Sequence, residues 1–284
     1  MAAPRSGPRA TRPRKPEAMA SPARTPDTLD LGPRFTAAEV AALNARFADA
    51  STQDMLAAVL GEGLAGRVAV VSSFGAESAV LLHLVAQVDP ATPVLFLDTH
   101  KHFPETLAYR DALVAQLGLT NLVVLEPDAA TVAKKDEAGL RWSWDPDGCC
   151  EIRKVIPLAK AMAGLDATIT GRKGFQSSTR AGLPRFELDS SDAVGRLKIN
   201  PLASWTKDAL DAYFTVHGLP HHPLVAQGYP SIGCAPCTSK VAPGEDPRSG
   251  RWKGWDKTEC GIHVPGSTDD GDGSELPPGY EPVF

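Results

Sequence analysis

Cysteine is scarce in this chain, with five in 284 residues. Five is too few for the disulfide framework of a small secreted scaffold, and an odd number cannot pair completely. A chain of this length also buries a core without covalent staples. No apolar stretch of the signal-peptide kind precedes the cysteines, so they read as chemical rather than structural. Long hydrophobic runs are missing too. None approaches the ~18 consecutive apolar residues of a membrane span, although the content of 43% hydrophobic and 22% charged residues is that of an ordinary globular protein. Nor is there a basic excess where a nucleic-acid-binding domain carries one. The net charge of -5 hides three regions. Residues 1–34 hold seven Lys and Arg against three acids, 264–284 hold five acids and no base, and 35–263 hold 22 bases and 26 acids. The expected partners therefore include neither nucleic acid nor membrane.

The same division suggests the organisation. Residues 1–34, with seven of the 25 prolines, read as a disordered basic tail, because proline forbids the amphipathic helix of an organelle presequence. Residues 264–284 read as an acidic tail, and 35–263 as one domain. Within it, Thr36 and Glu39 have capping-box spacing ahead of Val40, Leu43 and Phe47, which predicts a helix from Thr36. A second helix is expected over Gln53 to Leu60. Buried strands are expected at Arg67 to Val71, Pro93 to Leu97, Leu122 to Leu125 and Ala167 to Thr170, with helices from Ser78 and over Pro104 to Leu117. Strands alternating with helices predict an α/β fold with a mostly parallel sheet flanked by helices.

Two nucleotide fingerprints come close and fail. Gly61, Gly63 and Gly66 satisfy G-x-G-x-x-G but precede the strand they should follow, and Arg67-Val68 stands where a Walker A motif needs Lys and Ser or Thr. A better anion cradle is Ser72 to Ser78. It joins the first strand to a helix, so that Ser73, Gly75, Ser78 and backbone N–H groups converge on a helix N-terminus. Asp98-Thr99 ends the next strand on the same edge. The cysteines divide as an adjacent pair, Cys149-Cys150, a C-x-x-C at Cys234 and Cys237, and a single Cys260. Four soft ligands and one spare thiol suit an iron-sulfur cluster better than a zinc knuckle, with a redox dithiol as the third reading. If the segment after Gly148 is helical, Arg153 and Lys154 lie four residues beyond Cys149 and Cys150, where cations offset thiolate charge. Pro157 then kinks that helix or starts the next. Arg172, Lys173 and Arg180 follow the fourth strand, and Arg248 and Arg251 stand three apart before Cys260. His221-His222 read as loop residues, and His83 as a helical residue facing the sheet.

Taken in order, these motifs resemble the assimilatory sulfonucleotide reductases, specifically the iron-sulfur adenylyl-sulfate (APS) reductases. The resemblance runs from Val68 to His263. It rests on Ser73 to Ser78, Leu97-Asp98-Thr99 with Phe103 to Thr106, Cys149-Cys150 with Arg153-Lys154, and Gln176-Ser177 with Arg180. It continues through Cys234 to Cys237, Gly244 to Trp252, and Glu259-Cys260-Gly261-Ile262-His263. It implies a fold like that of the PP-loop adenine-nucleotide hydrolases and one [4Fe-4S] cluster on Cys149, Cys150, Cys234 and Cys237. Lys154 would lie between cluster and sulfate, Ser73, Gly75 and Ser78 would cradle nucleotide, and Arg172, Arg248, Arg251 and His263 would meet anionic groups. Cys260 would attack the sulfate sulfur, leaving an S-sulfonate from which thioredoxin releases sulfite. The resemblance further implies cytoplasmic sulfate assimilation, and homo-oligomers (dimers and tetramers) occur among such enzymes, although the sequence does not disclose the oligomeric state. Alternatives are the same reaction on 3'-phosphoadenylyl sulfate (PAPS) and iron-sulfur thiolation of tRNA. Two positions depart from the family pattern: His100 stands where glycine is usual, and Arg172-Lys173-Gly174-Phe175 replaces an Arg-Arg-Asp-Gln-like run.

Overall fold

The computed structural model describes residues 34–263, apart from 177–179, 193, 258 and the side chain of His263. The tails expected at 1–34, except Arg34 itself, and at 264–284 lie outside the described residues. Helix α1 (Ala37–Arg46) begins at the expected capping box, with Thr36 and Glu39 bonded reciprocally. Helix α2 (Thr52–Leu56) runs on through a wider π turn, Ala57–Gly61. Then follow β1 (Val68–Val71), α3 (Ser78–Val88), β2 (Val94–Leu97), α4 (Pro104–Leu117), β3 (Leu122–Leu125) and α5 (Ala129–Lys135). The second half comprises α6 (Pro146–Cys150), α7 (Ile156–Met162), β4 (Ala167–Thr170), the short strands β5 (Phe186–Leu188) and β6 (Leu197–Ile199), and α8 (Lys207–Val216).

The six strands form one sheet in the order β3-β2-β1-β4-β6-β5. Every neighbouring pair is parallel except β5 with β6, so the expected mostly parallel sheet is borne out. Alternation along each strand divides the core between two faces. Val68 and Val70 join the larger cluster with Leu82, Val85 and Phe96, whereas Ala69, Leu95 and Leu97 pack against Leu158 and Met162 of α7. Helices thus cover both faces of the central strands, which explains why those strands read as continuous apolar runs.

The chain runs outward from β1 through β2 to β3, then returns to place β4 on the other side of β1. Between β1 and β4 the connections depart in opposite directions, which opens a crevice at the carboxyl ends of these strands. That crevice holds the site. Arg34, the last residue of the expected tail, is tied to the body by its N–H to the Val194 carbonyl at 2.8 Å.

Candidate active site

A cleft of about 250 Å³ opens above the β1/β4 switch point. The connector after β1 forms one wall, with Ser72, Ser73, Gly75 and Ser78; Gly171, Arg172 and Lys173 after β4 form another; Cys260 also lines the cleft. Ser73 is exposed to the cleft, whereas the Ser78 hydroxyl donates to the Gly75 carbonyl at 2.8 Å and closes the first helical turn. Backbone strain falls on Phe74 rather than on Gly75. Phe74 has φ 48 and its ring is fully buried, edge-on to Phe96 at 5.5 Å, so packing holds a conformation that a bulky residue otherwise avoids.

Six bases line this cleft: Lys154, Arg172, Lys173, Arg180, Arg248 and Arg251. Four of them are already engaged with carboxylates. Arg172 pairs with Glu187, Lys173 with Glu77 at 3.0 Å, and Arg180 and Arg248 share Glu259 at 2.6 and 3.3 Å. Arg172 also donates to Asn200 at 3.1 Å and so leans toward β5. Lys154 and Arg251 have no carboxylate partner among the described residues. The Arg251 Nε is buried without a hydrogen-bond partner, and its guanidinium stacks over Trp252 at 4.4 Å. Burial alone would lower the Lys154 pKa, but the sulfurs of Cys234, Cys260 and Cys150 together raise it, so the ammonium is held charged.

All five cysteines are free thiols. Asp145 caps α6 by accepting from the Gly148 N–H at 2.8 Å, which presents Cys149 and Cys150 at the end of one turn. Cys234 and Cys237 sit on a tight turn closed by the Cys237 N–H to the Cys234 carbonyl at 3.0 Å and anchored by the Ala235 N–H to the Lys101 carbonyl at 2.7 Å. The four sulfur-bearing residues border one narrow gap with Thr99, Arg153, Lys154 and Trp252. Among the described residues no three His, Cys, Asp or Glu converge on a single ion position, so these cysteines surround a space rather than a point. Burial raises the Cys149 pKa and pushes Cys237 up to about 11, so metal binding there must displace thiol protons.

Cys260 differs from the other four. The Cys150 thiol hydrogen-bonds to it, and with Lys154 and Arg251 nearby this outweighs burial and holds Cys260 well below the ordinary thiol range; Cys150 is raised correspondingly. A thiol with a lowered pKa in a cation-lined cleft is suited to act as a nucleophile.

Between Cys150 and α7 the chain widens into a π turn over Glu151–Val155, and Pro157 stands in the first turn of α7, as expected of a proline that kinks one helix or starts the next. Pro157 explains it: proline has no N–H for an α-helical bond, and its ring would clash with the Arg153 carbonyl. The turn separates the two cations. Arg153 is buried, pairs with Asp136 at 2.8 Å and donates to the Thr99 carbonyl at 3.0 Å, while Lys154 faces the sulfurs.

His83 also departs from expectation. Its Nδ1 lies 2.8 Å from the Tyr213 hydroxyl of α8, so it faces a helix and not the sheet. The sequence reading left Glu77 and Glu259 without a role, although both stand inside quoted motifs. Each is a carboxylate that neutralises cleft bases, a role visible only once Lys173 and Arg180 are brought beside them. His263 ends the turn Gly261–His263, and its side chain, like Ser177, lies outside the described residues.

Fold and site together define an α/β protein with a cation-lined cleft at the sheet's switch point, bordered by a cysteine. Residues 67–240 match the model of the phosphoadenosine phosphosulfate reductase domain. An adenosine 5'-phosphosulfate reductase of Mesorhizobium japonicum is 52% identical over 231 residues, covering 81% of this chain and 89% of that protein. One from Mycolicibacterium smegmatis is 45% identical over 222 residues, covering 78% and 91%. The crystal structure of phosphoadenylyl-sulfate reductase from Candida auris, a phosphate complex, aligns with a TM-score of 0.61 at 27% identity, over 73% of this chain and 98% of that one. The chain belongs to the phosphoadenosine phosphosulfate reductase domain family, as its motifs suggested.

Proposed function

We propose that this chain reduces APS to sulfite and AMP, with Cys260 as nucleophile and a thioredoxin-type dithiol as reductant, in assimilatory sulfate reduction. The observation that carries the proposal is that Cys260 lines the switch-point cleft together with Lys154 and Arg251. Residues 35–263 form the catalytic unit. Ser73, Gly75 and Ser78 line the nucleotide end, while Arg172, Arg248 and His263 are assigned to anionic groups by motif. The Cys260 sulfur attacks the sulfate sulfur, the bond from that sulfur to the bridging oxygen breaks, and AMP leaves with the electron pair. Lys154 and Arg251 offset the repulsion between thiolate and sulfate. One thiol of the dithiol then attacks Cys260 Sγ and expels sulfite; the second thiol resolves the mixed disulfide and restores the Cys260 thiolate.

Cys149, Cys150, Cys234 and Cys237 fit a [4Fe-4S] cluster: four unpaired thiols border one gap with Arg153 and Lys154 against it. When bound, such a cluster supplies a fixed charged group and clamps two distant segments together. Cys150 would then be a ligand thiolate and no longer a hydrogen-bond donor, leaving the Cys260 charge to Lys154 and Arg251. Free thiols suit a reducing compartment such as the cytoplasm. Among the described residues no helix is long and apolar enough to cross a membrane.

The charge count favours APS over PAPS. Only Lys154 and Arg251 lack a carboxylate partner among the described cleft bases; Arg172 and Arg248 reach an anionic group only by loosening from Glu187 and Glu259, and a further phosphate would demand more such exchange. Incubation with sulfur-labelled APS is expected to leave label on Cys260 and none on a Cys260→Ser variant; equal labelling of both would overturn the assignment. A kcat/KM higher for PAPS than for APS would overturn the substrate choice.

A further inference from the structure

Glu259 precedes Cys260 in sequence, and its carboxylate reaches into the cleft. One oxygen accepts from Arg180 at 2.6 Å and from Arg248 at 3.3 Å; the other is buried without a partner. The two arginines come from segments nearly 70 residues apart, so Glu259 ties the Cys260 segment to both of those segments. The other ties of this segment among the described residues are the Cys150–Cys260 hydrogen bond, Lys257 and Ile262. Among the described residues no backbone–backbone hydrogen bond joins 256–263 to the rest of the chain. Lys257 pairs with Asp147, whose side chain is 72% exposed, and Ile262 packs against the cluster of Leu97 and Met162. Asp147 is open to water, so this pair is screened on one side, although Lys257 itself is buried and lies 5.6 Å from the Trp252 ring. Glu259, with 15% of its side chain exposed and two guanidinium partners, is the stronger hold.

We propose that Glu259 is a positioning residue: its carboxylate latches onto Arg180 and Arg248 and keeps the Cys260 thiol in the cleft. The catalytic meaning of this latch rests on Cys260 being the reacting thiol; the latch as a restraint does not. An ion pair suits the task better than an apolar anchor. It fixes direction as well as proximity, and it exchanges with water or with an incoming oxyanion when the segment must turn toward a reductant.

The test reads the position of Cys260 directly. The full chain, prepared anaerobically, is alkylated with iodoacetamide, and the Cys260 peptide is followed by mass spectrometry at a pH where its rate no longer rises, so that accessibility and not ionisation is compared. Glu259→Gln is expected to raise that plateau rate at least fivefold and Arg180→Gln to do likewise. The double variant should be no faster than the faster single, because both break one latch. In Glu259→Gln, kcat should fall at least tenfold while AMP affinity stays within twofold. Unchanged plateau rates in both single variants would overturn the proposal. So would weakened AMP binding with alkylation unchanged, which would make Glu259 a ligand contact. Reductase activity surviving in Cys260→Ser would dismiss the assignment of the nucleophile and leave the alkylation result standing.

Discussion

At the scale of the residue, the sharpest consequences lie where burial fixes a protonation state. His222 is buried; its Nδ1 accepts the Leu224 N–H at 3.2 Å, so its Nε2 carries the proton and donates to the Thr106 hydroxyl at 3.0 Å. Neither nitrogen has room for a second proton, and burial lowers its pKa to about 4. An unfolded histidine titrates near 6.5, so between pH 6.5 and 4 the unfolded chain binds the extra proton and the folded one does not. His222 should therefore contribute nothing adverse above pH 6.5 and cost stability progressively as pH falls through that window, up to about 3 kcal/mol. Urea unfolding at pH 7 and pH 4.5 should show this slope in the parent and a shallower one in His222→Gln; identical slopes would refute it. His100 makes a second residue-scale case. It adopts φ 56, the conformation glycine takes freely, and it stands where the family usually has glycine. Its N–H to Asp98 at 3.0 Å and its exposed contact with Glu126 at 3.2 Å offset the strain only in part. His100→Gly should leave stability unchanged or raise it by up to about 1 kcal/mol, measured by thermal unfolding.

At the scale of the element, the π turn between α6 and α7 sets which way Lys154 points. Replacing Pro157 restores an N–H able to bond the Arg153 carbonyl and removes the ring that forces the widening. A relaxed helix would rotate Lys154 by about 100°, one residue's turn, relative to α7. Pro157→Ala should therefore cut kcat at least tenfold while the melting temperature holds within a few degrees; an unchanged kcat would show that the turn survives without its proline. This turn also marks how far the sequence was legible. The strands β1, β2 and β4 and the helix α4 were readable because burial on both faces writes a plain apolar run and Pro104 marks a helix start; β3 was readable from its apolar run too, but it is an edge strand and only partly buried, not the buried strand expected. The strands β5 and β6 were not, because three residues carry no period and each has a charged residue at its centre, Glu187 opposite Lys198. Helix α8 did carry a signal, the Thr206 cap ahead of Leu210 and Phe214, and was passed over. In the site, the five cysteines and most bases were legible as chemistry. Their partners were not: the carboxylates that occupy Lys173, Arg180 and Arg248 come from elsewhere in the chain, and only folding brings them together.

At the scale of the whole molecule, sheet order decides where the ligand sits and cleft charge decides which ligand it is. The connectors after β1 and β4 both border the cleft, so an occupant ties together segments about 100 residues apart in the chain. Binding to the folded state alone stabilises it by mass action, about 2.7 kcal/mol at a ligand concentration one hundred times Kd. For a chain of this size each kcal/mol shifts the melting temperature by roughly 2–4 °C, so saturating AMP should raise it by about 5–10 °C. Adenosine 3',5'-bisphosphate, which differs by one phosphate, tests the charge argument without chemistry. Its added negative charge would enter a cleft whose Arg172, Lys173, Arg180 and Arg248 are already engaged by Glu187, Glu77 and Glu259. With no uncommitted base to receive it, the extra phosphate must lose water or displace a carboxylate, and either costs affinity. At equal concentration the bisphosphate should give the smaller shift, and raising the salt concentration should shrink both shifts as the exposed part of the field is screened. A larger shift with the bisphosphate would mean that at least one of these carboxylates yields its base to substrate, and the cleft would then be built for PAPS.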